Sequence, residues 1–337
     1  MWNENLGDRM GQIKNFDYAE FKGVAQKATV CHSTYEDNRF LPEEQIVTLE
    51  SFAETDPYYY MVYCKGLWGV LGKTVFDKEK VTKRMAEIAN KKPLKRGYFT
   101  YEYENEKVVD SSITWCENSS GVIKIYRDVE KGHPYVAGGD TAGDGSDQFT
   151  GHFIDNSDEE QVAVLTVDTD ETEYVRQMYC LGKYYNYALL GIETNYSTYP
   201  VKELTRLGYL KQFSRVQEDT FEEFIESRFG FHTNKKTRPL IISGLVNLVK
   251  ESVENINDLD TLKEMLSFVR NEKKKGRMEA EQGAHDDHVM GLAIAYYVAQ
   301  TGQQRNYVLL DDEKPKPKKL IDTLKIQTMS ALRKKRR

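Results

Sequence analysis

Four carboxylates stand where secondary-structure elements begin or end. Asp140 closes the apolar run YVAGGD, and Glu193 closes ALLGIE 53 residues further on. Asp286 and Asp287 open the stretch HVMGLAIAYYVAQ, which carries apolar residues at helical spacing. Acids at the ends of neighbouring strands, with another on a facing helix, can converge into a cluster that repels itself unless cations bind within it. Hard oxygen donors of this kind suit Mg²⁺ or Mn²⁺. Two such ions about 3.5 to 4 Å apart can activate a water and stabilise the leaving 3′ oxygen of a phosphodiester. Singly each acid is as well explained as a turn former or a helix-dipole partner. The chemistry lies in their joint order.

The elements that must position these acids are legible from residue alternation. From residue 135 the chain reads as a strand (135–140), then strands at 150–155 and 161–168 joined by NSDEE as an antiparallel hairpin. A helix capped by Asp170 or Thr172 runs to about residue 185 and is followed by a buried strand, ALLGIET. A helix (201–207), a strand around 212–216, a helix (240–253), a basic hairpin within 265–281 and a last, acid-bearing helix complete the order. This succession predicts an α/β, RNase H-like fold, a mixed sheet flanked by helices, over residues 135–305. Residues 1–95 hold two helical stretches (42–53 and 77–90), the aromatic run YYYMVY and a basic linker, KKPLKR. Residues 96–134 read as a β-rich connector, with alternating runs at 99–104, 112–117 and 122–129. Residues 306–337 read as a basic, disordered tail.

The runs YVAGGDTAGDGSDQFTGHFID, QVAVLTVD, YCLGKYYNYALLGIETN and GAHDDHVMGLAIA resemble the nuclease domain of phage terminase large subunits, the DNA-packaging motor proteins. Upstream, HSTYEDNRFLPEEQIVTLES and YYYMVYCKGLWGVLGKTVF resemble the join between the ATPase and nuclease domains of that family. The resemblance implies an RNase H-like nuclease preceded by the C-terminal segment of a P-loop ATPase domain. It implies that Asp140, Glu193 and one or both of Asp286 and Asp287 are catalytic metal ligands, with Asp147 as an auxiliary ligand. Of the two helix acids Asp287 is favoured over Asp286, although helical spacing does not separate them. It further implies two Mg²⁺ or Mn²⁺ ions, endonucleolytic cleavage of concatemeric double-stranded viral DNA in the bacterial host cytoplasm, and portal protein and small terminase subunit as partners. His285 and His288 flank the acid pair and read as solvated or capping side chains. Where relatives often show Gly soon after E-x-N, this chain has Tyr196-Ser197-Thr198-Tyr199.

A nucleotide site is not expected. A P-loop requires G-x4-G-K-[ST], so that a Gly-rich loop can wrap the phosphates. Gly72-Lys73-Thr74 has the correct ending, but Leu67 stands five residues before Gly72, and Gly66 is one residue too far. The run YVLLDDE at 307–313 imitates a Walker B strand but leads into KPKPKK. ATP hydrolysis would then need a separate chain carrying the ATPase half.

Of the 337 residues, 47 are basic and 53 acidic, a net charge of −6. Residues 314–337 hold ten basic residues against one acid, leaving the rest of the chain at −15. Phosphate contacts are therefore expected to be local: at Lys273, Lys274, Lys275 and Arg277 in the hairpin, at Lys235, Lys236 and Arg238, and in the tail. The longest apolar run is about 9 residues, too short to span a bilayer, and the start of the chain lacks the order of a signal peptide. Cys31, Cys64, Cys116 and Cys180 lie far apart, as in a chain kept in a reducing cytoplasm. Two other readings remain at this stage: another RNase H-like nuclease such as a resolvase, and a catalytically silent docking module.

Overall fold

The computed structural model describes residues 13–21, 24–31, 34–66, 74–141, 148–168, 170–218, 225–271, 274, 276–281 and 284–303. The chain divides into two units, Met1–Gln304 and Arg305–Arg337. The second unit, with the basic tail and the run 307–313, lies outside the described residues, as do Gly72 and Lys73.

An antiparallel hairpin of β1 (Ile13–Phe21) and β2 (Val24–Cys31) is followed by α1 (Glu43–Thr55), α2 (Pro57–Tyr59) and α3 (Lys78–Ile88). Asp56 and Asp77 cap α2 and α3 by accepting the N–H of Tyr59 and Lys80. Next come β3 (Lys95–Thr100), β4 (Tyr103–Glu104), β5 (Lys107–Val108), β6 (Thr114–Glu117) and β7 (Ile123–Ile125). The alternating run at 99–104 does not continue as one strand. Asn105 and Glu106 have φ of 48° and 61° and turn β4 back onto β5.

The chain then runs through β8 (Tyr135–Asp140), β9 (Phe149–Asp155), β10 (Gln161–Val167), α4 (Glu171–Tyr184), β11 (Leu189–Ile192) and α5 (Tyr199–Leu207). Two further hairpins, β12 (Ser214–Glu218) with β13 (Ile225–Phe229) and β14 (Phe268–Asn271) with β15 (Arg277–Ala280), flank α6 (Thr237–Ser252) and α7 (Leu259–Ser267). The last described helix is α8 (Asp287–Gln300). Of the two N-cap candidates for α4, Asp170 takes the role, accepting the N–H groups of Thr172 and Glu173 at 2.8 and 3.0 Å.

Seven strands form one sheet in the order β11-β8-β9-β10-β7-β3-β6. All neighbours are antiparallel except β11, which lies parallel to β8. A three-strand meander whose crossover helix returns the chain to a parallel strand beside the first, with a further parallel bridge from Leu190 to Gln212, is the topology of an RNase H-like fold. The strands from 95–125 extend that same sheet at its far edge.

Side-chain alternation divides the core in two. Val136, Ile154 and Leu189 pack with α8, α6 and α7 on one face. Tyr135, Ala137, Phe153, Leu190 and Ile192 pack with α4 and α5 on the other. Tyr60, Met61, Phe76, Val81 and Met85 belong to the first core, so the segment before β3 shares its interior with α6–α8.

Beneath α8 the first core holds a polar cluster. Asp258 is fully buried and accepts from Lys124 Nζ and the Tyr126 hydroxyl, each at 2.7 Å. Burial alone would raise its carboxyl, but Lys124 holds it well below the usual carboxylate range. His152, equally buried, shares a 2.9 Å hydrogen bond between Nδ1 and Gln161 Nε2. Burial, and secondarily the nearby His288, push its pKa well below 6.5. The folded chain therefore refuses a proton that the unfolded chain accepts below pH 6.5. Stability present above that pH is lost as the pH falls, at about 1.4 kcal/mol per pH unit. Urea melts from neutrality down to about pH 5 are expected to show this much less slope in His152→Gln than in the wild type. Identical slopes would mean that His152 titrates alike in both states.

Candidate active site

Asp140 and Glu193 meet because of strand register. β11 pairs with β8 so that Ile192 opposes Gly139, and the Glu193 N–H donates to the Gly139 carbonyl at 2.9 Å. Glu193 thus falls beside Asp140 at the carboxyl ends of two parallel strands. Alternation turns both toward α8: Val136 and Gly138 precede Asp140 on that face, as Leu189 and Gly191 precede Glu193.

Asp287 arrives from the helix. Gly138 lets the backbone of α8 lie directly on β8; a Cβ there would stand 2.1 Å from the Ala295 nitrogen and 2.3 Å from the Gly291 carbonyl oxygen. The Thr150 hydroxyl donates to the Asp287 carbonyl at 2.8 Å, and the Gln148 N–H donates to Asp287 Oδ2 at 3.0 Å. Asp140, Glu193 and Asp287 are 7 %, 4 % and 8 % exposed. Burial pushes the Asp140 carboxyl well above its usual range, and the negative charges of Glu193, Asp287 and Asp286 add to the shift.

Asp286 goes elsewhere. It occupies the N-cap position of α8 without capping it, and its Oδ2 accepts from Arg238 Nη2 at 2.6 Å. Arg238, from α6, also donates to the Met278 carbonyl on β15. Two acids adjacent in sequence therefore have different partners.

The donor set, carboxylate oxygens only, suits a hard divalent cation. The Glu193 side chain is within hydrogen-bonding reach of Asp140 and adds to the upward push on the Asp140 carboxyl. Among the described residues no three His, Cys, Asp or Glu side chains stand as a formed ligand set.

These acids lie in a groove of about 1620 Å³. Its basic lining comes from Lys235 and Arg238 at the start of α6 and from Arg270, Lys274 and Arg277 of the β14–β15 hairpin. Lys274 and Arg277 project from the hairpin, tethered to Glu279 at 2.8 and 3.4 Å. Lys236 is the N-cap residue of α6 and is not part of the groove lining. Asp147, Lys273 and Lys275 lie outside the described residues. Tyr196, 73 % exposed, stands in the groove.

His288 corrects the sequence reading. It is 3 % exposed, turned away from the groove and set edge-on against His152 at 5.3 Å, because the side chain after Asp287 points into the helix-facing core. His285 remains at the groove, its Nδ1 3.9 Å from Asp287 Oδ2. Two contributors were missed from sequence. Arg270 carried no signal beyond its charge, and Glu264, whose carboxylate meets the first turn of α8, looked like an ordinary helical acid.

The family model for the phage terminase large subunit matches residues 11–67. No curated protein matches the chain. Among solved structures, the chain is similar to the large terminase nuclease from thermophilic phage G20c, at 19 % identity over 60 % of this chain and 93 % of that one, with a TM-score of 0.42. The same nuclease with bound magnesium matches at 19 % identity over 60 % and 92 %, with a TM-score of 0.41. The large terminase nuclease domain of Thermus phage P74-26 matches at 21 % identity over 53 % and 86 %, with a TM-score of 0.41.

Proposed function

We propose that this chain is the nuclease part of a phage terminase large subunit, a divalent-metal-dependent endonuclease that cuts concatemeric double-stranded DNA during genome packaging. The observation that carries this reading is the convergence of Asp140, Glu193 and Asp287 in a groove with basic residues in its lining. The family match over residues 11–67 supports the assignment to terminases.

In this reading Asp140, Glu193 and Asp287 hold two Mg²⁺ or Mn²⁺ ions, with Asp147 as an auxiliary ligand. The bound ions supply a nucleophile at neutral pH and charge neutralisation at the scissile phosphate. The chain's own residues do the rest. Lys235, Arg270, Lys274 and Arg277 grip backbone phosphates without reading sequence. Arg238 neutralises Asp286 and so lowers the negative potential that DNA would meet beside the acids. With the body of the chain at −15, substrate delivery falls to partners, portal protein and small terminase subunit. The host cytoplasm is the setting. No helix among the described residues is long and apolar enough to cross a membrane.

The test is nicking and linearisation of supercoiled plasmid by the purified chain in Mn²⁺ or Mg²⁺, repeated in EDTA. Chelation is expected to reduce cutting by on the order of 10²-fold or more. Cutting that survives EDTA overturns the metal reading, and a strong preference for branched over linear duplex favours a resolvase. Absence of cutting with either metal leaves the docking module as the better description.

A further inference from the structure

The first turn of an α-helix leaves backbone N–H groups without partners, and the N-cap side chain usually accepts one of them. In α8 it does not: the Asp286 carboxylate is committed to Arg238. The acceptor comes from another helix. Glu264, on α7, places Oε2 at 2.8 Å from the His288 nitrogen and 3.1 Å from the Val289 nitrogen. One carboxylate oxygen thus takes both N–H groups that immediately follow Asp287. The start of α8 is held by Arg238 on the Asp286 side chain and by Glu264 on the backbone.

We infer that Glu264 is a positioning residue for the cleavage site: it caps α8 in trans and fixes Asp287 in line with Asp140 and Glu193. The inference rests on the metal-nuclease reading for its consequence, but the cap is a property of the protein alone. Capping in trans has a chemical advantage here. A side chain at the N-cap that bonded its own helix would fold back over the first turn, beside the position Asp287 needs. With the acceptor supplied from α7, the Asp287 carboxylate faces the groove, where it accepts the Gln148 N–H at 3.0 Å. Residues that orient metal ligands from behind typically contribute 10- to 100-fold to affinity or rate.

The experiment compares Glu264→Ala and Glu264→Gln with the wild type in the full chain, by amide hydrogen exchange without metal, Mn²⁺ titration and plasmid-cutting kinetics. In Glu264→Ala, the His288 and Val289 amides are expected to exchange at least ~10-fold faster, Mn²⁺ affinity to fall about 10- to 100-fold, and kcat to fall with KM for DNA unchanged. Glu264→Gln keeps a carbonyl acceptor and is expected to stay within about 3-fold of wild type on all three. Should Glu264→Ala not fold, Glu264→Asp, one methylene shorter, carries the same expectation as the Ala variant. Wild-type exchange at these two amides in the Ala variant overturns the cap. Faster exchange with unchanged Mn²⁺ affinity, or a Gln variant as impaired as Ala, overturns the positioning role. A wild-type chain that binds no Mn²⁺ overturns the metal reading itself, and is told apart because the exchange result does not depend on metal.

Discussion

Asp140→Asn is expected to lower metal-dependent DNA cutting by at least ~10³-fold, about 4 kcal/mol of transition-state stabilisation, while leaving the metal-free protein as stable as the wild type or more so. The two directions follow from one geometry. The Asp140 carboxyl is 7 % exposed, and burial with three neighbouring negative charges drives its pKa up. Without cations the cluster is a source of repulsion, which the isosteric amide relieves. Asn also preserves the acceptor that takes the Thr141 N–H at 3.0 Å. With cations, the same substitution removes a charged ligand. Glu193→Gln and Asp287→Asn should behave alike, whereas Asp286→Asn, whose amide oxygen still faces Arg238, should lose no more than about 10-fold. Single-turnover cutting rates and Tm in EDTA decide the matter. Wild-type cutting by Asp140→Asn removes it from the site, and a larger loss in Asp286→Asn than in Asp287→Asn reverses the order assigned to the two helix acids.

Gly138→Ala is expected to destabilise the protein by about 3 kcal/mol and to lower cutting at the same time. Two effects oppose each other. Ala in a strand interior gains roughly 0.5–1 kcal/mol over Gly by restricting the unfolded chain. Against this, the new Cβ would lie 2.1 Å from the Ala295 nitrogen, 2.3 Å from the Gly291 oxygen and 2.7 Å from the Ala295 Cα. These are backbone atoms of α8 and cannot swing aside as a side-chain end would, so the overlap wins and the helix is pushed off β8. Asp287 moves with it. Gly244 on α6 is the contrasting position: nothing lies within 4 Å of a Cβ there, so Gly244→Ala should stabilise by up to about 1 kcal/mol. Thermal unfolding is expected to show a Tm lowered by roughly 5–10 °C for Gly138→Ala and slightly raised for Gly244→Ala. Equal melting temperatures would show that α8 can shift without cost.

The order of elements around the acids was legible because it depends on local properties. Strands β8 to β11 announce themselves by short apolar runs ended by polar turns, and α4 by Asp170 ahead of an amphipathic stretch. The stretch at 122–129 was read too long. Ile123–Ile125 hold regular register with β3 and β10; beyond them the Tyr126 and Arg127 N–H groups both converge on the Val162 carbonyl, at 2.8 and 3.3 Å, and their side chains turn to Asp258 and Asp155. The sharing of one interior by residues 60–88 and α6–α8 left no local trace, because it consists of contacts between segments far apart in sequence.

What the sequence by itself determined is which residue types end which elements, and hence that Asp140, Glu193 and a helix-borne acid were candidates for one site. Only the tertiary structure gives Asp286 and Asp287 different partners. Neighbours on a helix point about 100° apart, so one packing of α8 sends them to different partners: Asp286 to Arg238, and Asp287 toward the strand carboxylates. That packing is set by the absence of a side chain at Gly138, by Arg238 on α6 and by Glu264 on α7. No spacing along the chain can express it, because each partner comes from a different element folded onto the same helix end.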